Sequence, residues 1–103
     1  EHLSEEELTI FDILTRPAPE LTTEERDEVR KVAQALLRRL HRLLVIGWRD
    51  KVSARARVRE DIKDALDVGL PRAYSKDLYQ AKCEAVFEHV YRSYRGDGAS
   101  VYG

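Results

Sequence analysis

Between residues 29 and 44 the apolar side chains Val29, Val32, Ala33, Leu36, Leu40, Leu43 and Leu44 return every third or fourth position. At about 100° per residue that spacing gathers them on one side of an α-helix. A stripe this long must be covered by other elements, and the rest of the chain offers only further helices. No stretch alternates apolar and polar residues with period two for long enough to make a strand. The sequence therefore predicts an all-α fold: a small bundle of three long antiparallel helices with one short helix before them.

The boundaries follow from local chemistry. Ser4 and Glu7 stand at capping-box spacing and predict a short helix over residues 4–15, with Leu8, Phe11 and Leu14 as its narrow apolar face. Pro17 and Pro19 stop it. Thr22 and Glu25 repeat the capping box and open the second helix, on which Asp27 and Lys31 form an i,i+4 pair. Arg38 and Arg42 point away from the stripe and suit the negative end of that helix. Gly47 breaks the pattern, so a turn at residues 45–47 leads to a third helix over 48–68, ended by Gly69 and Pro71. Ser75 caps a fourth helix carrying a largely aromatic stripe: Tyr79, Cys83, Val86, Phe87, Val90, Tyr91 and Tyr94. Residues 1–95 make one domain. Residues 96–103 lack periodicity and read as a flexible tail unless Val101 and Tyr102 dock.

Composition narrows the chemistry. Apolar residues make 43% of the 103 and charged residues 36%, enough for one modest core. No apolar run nears the ~18 residues of a membrane span. The opening EHLSEEEL is acidic and lacks Met, which reads as part of a longer protein rather than a leader. Cys83 is the single cysteine and lies within a helical pattern, so a buried structural thiol and a reduced, cytoplasmic setting are expected. His2, His41 and His89 have no metal-ligand spacing and read as surface or boundary residues. No glycine-rich phosphate loop occurs, and no carboxylate pair is marked out for acid–base work. The residues point to a non-catalytic binding or docking module with no cofactor or metal of its own.

One stretch stands apart. Residues 48–59, WRDKVSARARVR, hold the single tryptophan and five of the eighteen basic groups. Residues 38–59 carry net charge +7, between −6 over residues 1–37 and −2 over residues 60–103. Read as helix, the segment puts Trp48, Val52, Ile62 and Leu66 on one side, with Arg55 and Arg59 in the middle of that side. Two guanidinium groups set in an apolar stripe need acceptors. Either they are internal ion-pair ties, with Asp12, Glu25 or Glu84 as acceptors, or Trp48, Arg55 and Arg59 border a groove open to phosphate or an acidic partner. The internal tie is the simpler reading. Arg57 points away from Trp48 and should be solvated. Arg49, Arg57 and Lys63 are candidates for loose, sequence-independent contact with a DNA backbone.

Three blocks, LTIFDILTRPAPELTTEERDEVRKVAQALLRRL, WRDKVSARARVREDIKDALDVGLPRAY and LYQAKCEAVFEHVYRSYRGDGASVYG, cover nearly the whole chain. In this order they resemble the C-terminal helical region of the R subunit of type I restriction–modification enzymes. The chain departs from that pattern at Gly47, where an acidic residue is more usual. The resemblance implies a parent subunit that translocates DNA with ATP and Mg²⁺ and cuts it far from the recognition site. It implies as partners the methyltransferase and specificity subunits of the restriction complex and the upstream motor domains of the same chain. None of the nuclease or ATPase motifs is present here, so no catalytic residue carries over. With a net charge of −1, docking on protein is expected ahead of contact with DNA.

Overall fold

Four α-helices and one 3₁₀ turn make up the computed structural model, which describes residues 4–16, 19–44 and 47–94; no strand occurs among them. The expected tail at 96–103, with any docking of Val101 and Tyr102, and most of the expected turn at 45–47 lie outside the described residues.

Helix α1, Glu5–Thr15, starts with a reciprocal capping box: Glu7 N–H donates to Ser4 Oγ at 3.1 Å and Ser4 N–H to Glu7 Oε1 at 2.9 Å. Its buried residues are Ile10 and Leu14, one turn apart, rather than the expected face of Leu8, Phe11 and Leu14. Burying Ile10 and Leu14 rolls Leu8 out to solvent and leaves Phe11 half-buried beneath the Arg26 guanidinium, 5.5 Å from its centroid.

Helix α2, Thr23–Leu43, repeats the device with Thr22 and Glu25, and buries Val29, Val32, Ala33, Leu36, Leu37 and Leu40. Asp27 pairs with Arg30, one residue nearer than the expected Lys31. Glu25 is engaged at the cap and Asp12 faces Arg16 at 3.9 Å.

Helix α3 spans Val52–Gly69, and its start corrects the expected boundary at Trp48. Gly47 takes a left-handed conformation, φ 74°, open to glycine without steric cost. Trp48–Asp50 then close a 3₁₀ turn, and Lys51 is extended before α3 begins. Trp48 and Val52 therefore share no stripe: Trp48 is 0% exposed and Val52 73%. The core face of α3 is Val58, Ile62 and Leu66.

The other end of α3 also runs past expectation. Gly69 is its last helical residue and Leu70 the cap, so Gly69 is not the residue beyond the helix. A Cβ on Gly69 would overlap Val32 Cγ2. Valine in a helix is nearly locked at χ1 and cannot swing aside. Gly69→Ala is expected to destabilise by about 1–3 kcal/mol through overpacking. Urea unfolding of this variant beside Gly69→Ala/Val32→Ala should show the second change recovering part of the loss.

Helix α4, Lys76–Ser93, is capped by Ser75 and buries Lys82, Cys83, Val86, Val90 and Ser93. Around the bundle, α2 packs on α1 and α3, while α4 packs on α3 and α1. The shortest dimension, 18 Å, fits two helical layers. Their shared core is sealed by leucine, isoleucine and valine side chains, each contributing roughly 1.5–3 kcal/mol relative to exposure.

Candidate functional site

Trp48 is held at the end of α4, not on a groove wall. Its Nε1–H donates to the Tyr94 carbonyl at 3.2 Å. The rings of Phe87 and Tyr91 meet it edge-on at 6.4 and 6.0 Å between centroids. An indole buried with its one donor satisfied is a structural anchor.

The two arginines flank the core face of α3 and lie over a groove between α3 and α4. Arg59 donates to Glu84 Oε2 at 2.6 Å, and its guanidinium sits 4.1 Å from the Phe87 centroid. Of the three acids singled out as acceptors for Arg55 and Arg59, Glu84 is the one that receives either of them. The pair is 44% and 68% exposed at its two side chains, so it contributes about 0–1 kcal/mol rather than the several of a buried pair. Among the described residues Arg55 reaches no acid; it donates to the Arg49 backbone carbonyl. Arg49 in turn donates to the Tyr91 carbonyl at 2.9 Å and lies 5.6 Å over that ring. These bonds tie the 3₁₀ turn to α3 on one side and α4 on the other. The groove itself, about 610 Å³, has Val52, Ala56, Phe87 and Tyr91 as its apolar part.

The three DNA-contact candidates do not form a patch. Arg49 is engaged as described. Arg57 is exposed, with no partner among the described residues. Lys63 lies 3.8 Å from Glu60 and is separated from Arg57 by roughly 120° around α3.

Sequence reasoning missed the most unusual cation. Lys82 is 3% exposed, and its Nζ donates to the Ile13 carbonyl at 2.7 Å. Beside it the Tyr74 hydroxyl donates to the Leu14 carbonyl at 2.7 Å. The last carbonyls of α1 have no partner within their own helix, and two side chains from elsewhere in the fold supply them. Burial holds Lys82 below the ordinary lysine range. The available sequence clue was spacing: Lys82, Val86 and Val90 recur every fourth residue, which puts the lysine on the buried side.

A second tie links the start of α1 to the end of α4. The Tyr94 hydroxyl donates to Glu6 Oε1 at 2.7 Å, and His41 Nε2 lies 3.3 Å from the same oxygen. His89 sits behind, with Nδ1 3.4 Å from Ser93 Oγ and its ring edge-on to Tyr94. Burial pushes His89 below the ordinary imidazole value of 6.5. The folded protein thus binds fewer protons there than the unfolded chain, and the native state loses stability as pH falls below that value. His89→Gln should flatten the dependence: thermal melts from pH 7.5 to 5 should show a steeper fall in the parent chain than in the variant.

Cys83 is buried, and desolvation raises its pKa, away from a reactive thiolate. Burial, with smaller help from Cys83, pushes Tyr79 up to about 12; its hydroxyl donates to the Lys63 carbonyl at 3.0 Å. Among the described residues no three His, Cys, Asp or Glu come together to hold a metal, and no helix is long and apolar enough to cross a membrane.

The fold and these ties define a small all-α domain whose polar side chains largely brace its own backbone. Residues 1–95 match the family model described as Type I restriction enzyme HindI endonuclease subunit-like, C-terminal, and the chain belongs to that family. Searches of curated proteins and of solved structures returned no match.

Proposed function

We propose that this chain is a non-catalytic assembly domain, docking the motor subunit of a type I restriction enzyme onto its methyltransferase and specificity subunits. The observation that carries the reading is where the strong donors go. Lys82, Tyr74, Trp48, Arg49 and Tyr79 all close on backbone carbonyls of the bundle itself. What remains outside is a braced surface with open grooves and exposed Val52, Val68 and Tyr91. Such a surface recognises shape and charge. Family membership supplies the context: the C-terminal part of an endonuclease subunit. In this reading ATP and Mg²⁺ belong to the motor and nuclease domains of the parent, a cytoplasmic DNA translocase and endonuclease.

The test is binding of the purified chain to the methyltransferase–specificity assembly by titration calorimetry. Saturable binding at micromolar concentration is expected, and none at all rejects the docking role. DNA-backbone contact is the alternative. Its candidate cations share no face, so a gel shift with the chain should stay flat even at low salt. A salt-sensitive shift lost in Arg57→Glu would favour that alternative.

A further inference from the structure

We propose that the docking seat is the groove between α2 and α3, and that it takes an amphipathic helix of the partner with aliphatic side chains flanked by aspartates and glutamates. This rests on the docking reading above and adds the face and the chemistry of its occupant.

Two large grooves among the described residues differ in kind. The one between α3 and α4 is already crossed by the Arg59–Glu84 pair, and a guanidinium covers its Phe87. The α2–α3 groove, about 590 Å³, has only the looser Arg39–Asp61 pair at 3.8 Å beside it, and no guanidinium lies over an aromatic ring of its lining. Ala35, Ala65 and Gly69 line it with small side chains, because the two helices meet closely where Gly69 faces Val32. Small residues leave room for a large aliphatic side chain to enter from outside. Val68 also lines the groove and is 88% exposed, the most exposed of the large apolar residues described. An isolated domain gains nothing from an apolar group so placed; a covering partner does.

Charge selects the occupant. Lys31, Arg39 and Arg72 line the groove with Glu28 as the sole carboxylate among its lining residues. Asp61 lies 3.8 Å from Arg39 and partly answers it. Lys31 and Arg72 have no ion-pair partner among the described residues. An acidic flank on the partner would meet both, and complementary rim charges set association rate and register. A DNA backbone could meet Lys31, Arg39 and Arg72 but would leave the apolar floor and Val68 uncovered, whereas an acidic amphipathic helix answers both. From Glu28 to Arg39 the α2 wall runs about 16 Å at 1.5 Å per residue, long enough for three turns of a bound helix.

The test compares Lys31→Glu/Arg72→Glu and Val68→Asp with the parent chain in calorimetric titration against the methyltransferase–specificity assembly. All three substitutions are at exposed positions, and circular dichroism checks the fold. Each variant should bind about tenfold more weakly or worse, while Arg92→Glu on α4 binds as the parent does. The loss in the double variant should shrink as salt rises, whereas the loss in Val68→Asp should persist. Unchanged binding by both groove variants overturns the groove and leaves docking standing. No binding by the parent chain overturns docking, and the groove assignment falls with it. If the double variant instead loses retention of duplex DNA while still binding the assembly, the helix-binding proposal is wrong.

Discussion

Trp48→Ala is expected to destabilise the domain by about 3–5 kcal/mol, the largest single effect in the chain. The indole is wholly buried, meets Phe87 and Tyr91 edge-on and donates to the Tyr94 carbonyl, so its removal opens a cavity and strands an acceptor. For a domain near this size the loss should lower Tm by about 12 °C or more. Trp48→Phe separates the two causes: it keeps much of the volume and loses the N–H donor, and should fall between. As the single tryptophan, Trp48 makes its own fluorescence a direct monitor of unfolding in the parent chain. A Tm for Trp48→Ala within about 3 °C of the parent would rule out an anchoring role.

The second large effect concerns the clasp on α1. Tyr74→Phe/Lys82→Met removes both donors to the Leu14 and Ile13 carbonyls. Stranding two carbonyls beneath packed side chains should cost about 2–4 kcal/mol in sum. The single changes should differ. Tyr74→Phe loses a neutral donor and little else. Lys82→Met also removes an ammonium whose burial is itself unfavourable, which offsets part of its loss. The linkage gives a further check. Because burial depresses the Lys82 pKa, the folded state holds fewer protons there between its lowered value and the ordinary 10.5, and the lysine's contribution to stability rises with pH across that window. Lys82→Met should abolish that rise. Hydrogen exchange should show α1 amides losing protection ahead of those in α2 in the double variant.

The helices were legible where their determinants are local. Both capping boxes, the α2 stripe and the Ser75 cap are written within a few residues of one another, and the structure has them all. The start of α3 was not legible. The helical reading carried Trp48 into the helix, whereas left-handed Gly47 admits a 3₁₀ turn first and re-aims the indole at α4. That change also moves Arg55 and Arg59 from the middle of a stripe to its flank. Glu84 could be picked out as an acceptor because it is an acid beside an apolar face. The Arg49 carbonyl that receives Arg55 has no signature in the sequence, since every residue carries one. The α2–α3 groove was invisible for another reason. It exists only once Ala35, Ala65 and Gly69 are juxtaposed, and periodicity within one helix cannot show a space between two.

The clasp also sets an order of events during synthesis. The Ile13 carbonyl waits for Lys82, 69 residues later, and Glu6 waits for Tyr94, 88 residues later. As the polypeptide leaves the ribosome, α1 can pack on α2 early but gains these two polar partners only once α4 has emerged. A nascent chain arrested before residue 74 should be more open to protease at α1 than one extended past α4.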